Sequence, residues 1–399
     1  MATKKGVWNL QQVRDKQLQS LWSYAGAGEL WVWGYQSNTG ALGQNSHVNY
    51  SSPTQIPGQW ASAKILRKSG DGDYNHTTVI KNDGTLWSWG RNENGQLGQN
   101  NLIYYSSPVQ LGSDTTWSTG SGIRKATAAI KTDGTLWSWG YANWGMMAQN
   151  NVNVKYSSPV QIPGTTWAQV SGGHLNVFGV KTDGTLWAWG NNHEGKLGLN
   201  QNQNDSGFSK SSPVQIPGTN WAVASGQYNA GFAAKTDGTL WAWGTNGQGE
   251  LGQGNTTKYS SPVQVPGTTW GTTQLTFMQG VEQMGSIKTD GTLWMWGKNE
   301  RGNLGQNNLT NYSSPRQVPG TTWRSAVFLG ATGCTTLATK TDGTLWAWGD
   351  NNDGRCAQNN DPDNGGENAY SSPVQIPGTA WTEMMGAAGS GLAVIKGES

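Results

Sequence analysis

The chain has 399 residues, a net charge of +2, 58 Gly, 24 Trp and only 13% charged residues, against roughly 25% charged in an average soluble domain. Lys and Arg are scattered, which excludes the basic stripe that phosphate backbones require, so nucleic acid is not an expected partner. So much Trp excludes disorder, because each buried indole removes on the order of 150–250 Å² from water; Gly with Trp and Thr points to short strands and many turns.

At the start of the chain, Lys4 and Lys5 are followed by no apolar run, so no secretory leader is expected. No stretch approaches the ~18 apolar residues of a membrane span, so no membrane insertion is expected. Leu10, Val13, Leu18, Leu21 and Trp22 fall near helical spacing. With Val7 and Trp8 they form an apolar set that no later segment repeats. Two readings stay open for this partly helical unit, residues 1–28: a short helix packed on the protein's own surface, or an anchor that docks onto a virion or onto sister subunits.

From residue 29 to 399 the chain is repetitive. Leu-Trp-x-Trp-Gly occurs seven times, with its second Trp at 33, 89, 139, 189, 243, 296 and 348. The shortest interval is 50 residues, Trp89 to Trp139, and the longest 56, Trp33 to Trp89. Ser-Ser-Pro occurs seven times, ending at Pro53, Pro108, Pro159, Pro213, Pro262, Pro315 and Pro373. A third tag, usually Pro-Gly-Thr-Thr-Trp, ends at Trp60, Trp117, Trp167, Trp221, Trp270, Trp323 and Trp381. Only Trp8, Trp22 and Trp144 lie outside these tags.

A period near 50 fits one four-stranded blade of a β-propeller. Ala128–Trp139 reads as two short strands around an Asp133-Gly134 turn. Trp137 and Trp139 are two apart, so both project from one strand face, where they can fill the space between blades. Ser-Ser-Pro reads as an edge strand, since Pro cannot donate to a ladder. The first tag, Glu29–Gly34, lacks a preceding strand, and Gly391–Gly397 is such a strand without a follower. The expected fold is therefore all-β, a seven-bladed β-propeller closed by pairing of the N- and C-terminal strands in one shared blade.

Lys-x-Asp-Gly-Thr-Leu-Trp, followed after Trp-Gly by runs such as Asn92-Glu93-Asn94-Gly95-Gln96-Leu97-Gly98, resembles the repeat of the regulator of chromosome condensation family. That resemblance implies a seven-bladed propeller over about residues 29–399. Gly145-Met146-Met147-Ala148 and Gly354-Arg355-Cys356-Ala357 depart from Gly-x-Leu-Gly, and altered outer turns are expected there. The family's exchange factor works through a wedge loop and basic tail, and its plant photoreceptor through Trp clusters beside Arg; neither pattern is present. At the other end, Gly6–Lys16 is similar to the opening of many tailed-phage virion proteins, especially those of marine phages.

No catalytic, cofactor or metal constellation is expected. His47, His76, His174 and His193 lack metal-ligand spacing. There is no nucleophile elbow, phosphate loop or Cys-x-x-Cys. The Asp of each Lys-x-Asp-Gly segment is explained by turn geometry. Asp361–Glu367 lacks the acid or amide at the fifth position and the Glu at the twelfth that a calcium loop uses. Cys334 and Cys356 are too few for a disulfide framework and read as small buried thiols.

Comparing the seven repeats with one another locates the positions released from scaffold duty. They cluster before each Lys-x-Asp-Gly turn: Asp73, Tyr74 and His76; Arg124 and Lys125; His174 and Asn176; Gln227 and Tyr228; Gln279, Glu282 and Gln283; and Thr332. Equivalent positions of a propeller share one face or line its channel, so Tyr74, His76, Arg124, His174, Gln227, Tyr228, Glu282 and Gln283 are the candidate binding face; surface drift is the competing reading. The long loops 200–210 and 358–370 read as outer decorations. With the phage-like opening, these features lead to an expected non-enzymatic virion protein, made in a host cytoplasm. Its propeller would be displayed as a capsid decoration or tail-fibre adhesin and anchored through residues 1–28 to other virion proteins or sister copies, with a host surface protein or glycan as partner. The alternative is a bacterial protein-binding propeller, an inhibitor or scaffold.

Overall fold

The structure, a computed structural model, describes residues 29–396 except 35–38, 59, 61–63, 66–75, 202–208, 274–276, 330–333, 353–354, 359–368 and 387–390. The anchor residues Val7, Trp8, Leu10, Val13, Leu18, Leu21 and Trp22 therefore lie outside the described residues. The fold is an all-β β-propeller. Among the described residues, the strands pair into seven four-stranded sheets. A representative sheet runs Trp167–Gly172, Asn176–Lys181, Leu186–Gly190 and Lys210–Ile216, each strand antiparallel to the next. Six sheets are built from consecutive strands. The remaining one has the order Tyr50–Ile56, Glu29–Gly34, Gly391–Lys396, Trp381–Gly386. In it Glu29 faces Lys396 and Gly34 faces Gly391 across a six-residue antiparallel register.

The Ser-Ser-Pro strand is the outer edge of every sheet. A register shift separates the residue before Ser-Ser-Pro from the one after it, as between Tyr259 and Val263 opposite Gly244 and Ala242. Prolines at these edges interrupt the ladder where no further strand is needed. The opposite edge strand is largely buried where described, as in Trp167–Gly172 and Trp221–Gly226.

Tryptophan binds the sheets together. Within one sheet, Trp167 meets Trp187 and Trp189 edge-to-face at 6.4 and 5.9 Å between ring centroids. Trp60 does the same with Trp87 and Trp89, Trp270 with Trp294 and Trp296, and Trp323 with Trp346 and Trp348. The second Trp of each tag then reaches the preceding sheet. Its Nε1 donates to the carbonyl of x in that sheet's Gly-x-Leu-Gly: Trp89 to Ala41, Trp139 to Gln96, Trp189 to Met146, Trp243 to Lys196, Trp296 to Glu250 and Trp348 to Asn303, all at 2.8–3.0 Å. Trp33 donates to Arg355 O at 3.4 Å. These indoles are fully buried. A buried N–H must find an acceptor, and a repeated carbonyl at one position supplies it each time.

The altered outer turns expected at residues 145–148 and 354–357 are not seen where described, and this corrects the sequence reading. Ala148 and Ala357 take φ of 53° and 51°, close to the 74° of Gly98. Ala148 N bonds Gly145 O at 3.0 Å, as Gly98 N bonds Gly95 O. Met147 and Cys356 are buried in the slot that Leu97 fills. The tryptophan hydrogen bond and the buried side chain hold the turn, and alanine accepts the left-handed conformation at a modest cost.

The mixed sheet has its own joint. In other sheets the first Trp of the tag donates to the Thr hydroxyl of the Asp-Gly-Thr turn, as Trp187 does to Thr185 at 2.9 Å. Trp31 instead donates to Glu29 Oε2 at 3.0 Å. Deleting residues 391–399 would leave the edges of Glu29–Gly34 and Trp381–Gly386 without a ladder partner. The expected result is a thermal midpoint lower by on the order of 10 °C, with oligomers on size-exclusion chromatography. An unchanged monomer would show that this sheet does not hold the fold together.

Candidate functional site

Antiparallel alternation divides the connections between two faces. In the sheet that begins at Trp167, the bend Gly173–Leu175 and the Gly-x-Leu-Gly loop lie at one end. The Lys-x-Asp-Gly-Thr turn and the Pro-Gly-Thr-Thr-Trp link lie at the other.

On the bend face, the structure brings together three successive repeats of the expected set. The His174 ring stacks on Tyr228 at 4.1 Å, and His174 N donates to Gln227 O at 3.4 Å. The Gln227 side chain donates to Gln283 O. Gln283 Oε1 accepts from Glu282 N at 3.1 Å. Glu282 is bonded by Lys298 at 2.8 Å, and Lys298 also reaches Glu300 at 3.3 Å; the bond to Glu282 comes first among the causes that raise the Lys298 ammonium pKa. His76 lies apart from this chain, with Nε2 3.1 Å from Thr127 Oγ1 of the next sheet. Tyr74, Asp73 and Thr332 lie outside the described residues.

Burial divides the set. His76, His174, Gln227 and Gln283 are buried and tie neighbouring repeats together. Arg124, Tyr228 and Glu282 are half-buried, so each keeps part of its surface in solvent. Their variation between repeats therefore has two sources: the first group adjusts packing between unlike neighbours, and the second composes a surface.

Lys196, which sequence reasoning passed over, sits at the x position of Gly-x-Leu-Gly on this same face. It is fully enclosed, with Nζ 3.4 Å from Tyr228 O and 3.2 Å from Asn229 Oδ1. Burial, and then the Arg124 guanidinium, push its ammonium down to about 7, against a smaller opposing pull from Glu194. Glu250, one repeat on, is also enclosed, and burial raises its carboxyl. The signal was available in the other x residues: Ala41 and Met146 show that the slot takes an apolar side chain.

On the opposite face each turn repeats one network. Asp183 Oδ1 accepts from Thr185 N at 3.0 Å and from Thr185 Oγ1 at 2.7 Å, and Trp187 Nε1 donates to the same hydroxyl. Those hydrogen bonds from Thr hold the Asp carboxyl below its usual range at 83, 133, 183, 237, 290 and 342. The Asp oxygens thus serve the turn. Among the described residues no three His, Cys, Asp or Glu come together to hold a metal, and no helix is long and apolar enough to cross a membrane.

Four-stranded sheets sealed by tryptophan and carrying a variable polar face define an all-β propeller. The chain belongs to the RCC1-like domain family, whose model matches residues 29–395. It is similar to the RCC1 domain-containing protein RUG3, mitochondrial, of Arabidopsis thaliana, 27% identical over 164 residues, 40% of this chain and 36% of that protein. It is also similar to human Protein RCC2, 34% identical over 90 residues, 23% and 16% of the two chains. The chain thus spans about a third or less of these relatives' length. Prp20p from Saccharomyces cerevisiae has the same fold, with a TM-score of 0.76 at 16% identity over 94% of this chain and 92% of that one. Human WBSCR16 superposes with a TM-score of 0.75 at 18% identity, over 93% and 99%. Prp20p is known for binding Gsp1p and histones.

Proposed function

We propose that the chain is a non-enzymatic protein-binding propeller, a scaffold or inhibitor. Its seven sheets act as seven blades, closed into a ring through the sheet that mixes strands from residues 29–34 and 391–396. The observation that carries this reading is the family match over 29–395 on a chain whose bend face combines a locked base with half-exposed Arg124, Tyr228 and Glu282. Tyr and Arg on a rigid base have the character of interface anchors. Protein binding by Prp20p on the same fold supports the reading.

The test is capture of proteins from bacterial lysate on the immobilised chain, their identification, and reconstitution with the purified partner. Tyr228→Ala with Glu282→Ala is expected to weaken binding at least tenfold, about 1.4 kcal/mol or more. Equal retention by the wild type, this variant and an unrelated propeller would remove the proposal. The virion placement rests on the phage-like opening of residues 6–16 and gains no support from these relatives; mass spectrometry of purified phage particles decides it, and absence from particles removes it.

A further inference from the structure

The turn face carries a second recognition feature. In four consecutive repeats a half-buried lysine lies across two indoles. Lys181 Nζ is 4.9 and 4.6 Å from the ring centroids of Trp167 and Trp187, and Lys235 Nζ is 4.9 Å from both Trp221 and Trp241. Lys288 is 4.7 and 4.4 Å from Trp270 and Trp294, and Lys340 is 4.7 and 4.5 Å from Trp323 and Trp346. Among the described residues no carboxylate lies within salt-bridge distance of these four ammonium groups.

The repeat before them shows what such a lysine accepts. Lys131 lies across Trp117 and Trp137 in the same way, at 5.0 and 4.4 Å, and it also pairs with Asp114 at 2.7 Å. Asp114 stands three residues before its Trp, in a link one residue longer than its neighbours. Burial acts to raise the Asp114 carboxyl, but the bonds from Lys131 and Thr116 outweigh it and hold it at about 2. At the corresponding place in the next four repeats stand Gly164, Gly218, Gly267 and Gly320. A Cβ on Gly164, Gly267 or Gly320 would stand 3.8, 3.7 or 3.5 Å from the ammonium of Lys181, Lys288 or Lys340. These glycines have φ of 96–100°, a backbone that a side chain occupies only under strain. The chain therefore leaves open, beside Lys181, Lys288 and Lys340, the space from which Asp114 reaches Lys131.

We propose that Lys181, Lys235, Lys288 and Lys340 form an arc of carboxylate sites, and that the turn face docks an acidic segment of a partner protein whose Asp or Glu side chains recur at blade spacing. The proposal deepens the protein-binding reading but uses the opposite face, so the two tests fail separately. Spaced carboxylates fit better than a uniform polyanion such as nucleic acid. Two residues after each lysine stands a turn Asp (183, 237, 290 and 342), kept ionised by its Thr. A continuous phosphate backbone would meet these charges, whereas separated carboxylates pass between them. One exposed ion pair changes affinity by about fivefold at most. Binding thus depends on several sites engaged along one strand, where linkage multiplies weak contacts.

The test uses the full chain and a fluorescein-labelled peptide of about twenty residues in which Glu alternates with Gly-Ser spacers, long enough to cross several blades. The control peptide has Gln for Glu. At low ionic strength the Glu peptide is expected to bind at least about tenfold tighter than the Gln peptide. The combined Lys181→Met, Lys235→Met, Lys288→Met and Lys340→Met variant should bring the two peptides level. Asp114→Asn, which frees Lys131, should tighten the Glu peptide about two- to fivefold. That second variant decides the matter alone if the fourfold variant does not fold. Equal binding of both peptides, no gain from Asp114→Asn, or tighter binding of duplex DNA of matched charge would each overturn the proposal.

Discussion

Lys196→Met is expected to stabilise the protein at pH 6 by roughly 2–4 kcal/mol. Burial and Arg124 bring the Lys196 ammonium down to about 7 in the folded chain, from an ordinary 10.5. A gap of that size is worth at most about 5 kcal/mol, at about 1.4 kcal/mol per unit. Loss of the bonds to Tyr228 O and Asn229 Oδ1 returns about 1–2 kcal/mol of it. The sign follows from proton binding. Between pH 7 and 10.5 the unfolded chain holds a proton on Lys196 that the folded chain has released, so stability rises with pH in that window. Below pH 7 the folded state carries a buried cation and the full penalty; above 10.5 both states are neutral and the penalty is gone. Met146 already occupies the same slot one repeat earlier, buried and hydrogen-bonded through its carbonyl, so the replacement fits. Denaturant titration of both proteins at pH 6, 8 and 10 checks this. A stability difference that stays constant with pH would mean that Lys196 is not neutral in the fold.

Trp348→Ala is expected to cost about 3–5 kcal/mol, the usual range for emptying a buried aromatic site. Trp348 is fully buried and packs edge-to-face on Trp323 at 5.8 Å. Its Nε1 donates to Asn303 O of the preceding sheet at 2.9 Å. Gly305 also packs closely on the indole, since a Cβ there would stand 2.9 Å from that nitrogen. Trp348→Phe keeps most of the area and loses the hydrogen bond, so about 1–2 kcal/mol is expected. Trp346→Ala, on the half-exposed neighbour in the same tag, should cost less than Trp348→Ala. Guanidinium unfolding followed by circular dichroism ranks the three. Equal costs at 346 and 348 would show that the link between sheets is not what the second tryptophan supplies.

Much of this was legible before any coordinates, for a reason that particular residues make clear. A repeat states the same local problem seven times, so whatever recurs at fixed spacing must be solving it. Trp89, Trp139, Trp189, Trp243, Trp296 and Trp348 recur because a buried indole needs both a packing partner and an acceptor. Ser-Ser-Pro recurs because each sheet needs one edge that stops. The Asp of each turn recurs because Thr and Trp depend on it, and Asp183 bonded to Thr185 bears out the turn explanation. The variable positions were less legible. Alternation along a strand predicts which face a side chain takes, but at a bend it says nothing about depth, so buried His174 and half-exposed Tyr228 read alike.

The sequence alone determined the all-β repeat architecture, the tags that build it and the strands at its two ends that lacked neighbours, because these depend on local pattern and on a period. The tertiary structure decided what depends on the neighbouring sheet. It showed that the x carbonyl of Gly-x-Leu-Gly receives the next indole, and that Ala148 and Ala357 keep a glycine turn. It showed that Lys196 is enclosed, and that Asp114 pairs with Lys131 from a place where the next four repeats have glycine. Each of these joins residues from different strands or sheets, and the free energy of such contacts is set by burial and distance rather than by spacing along the chain.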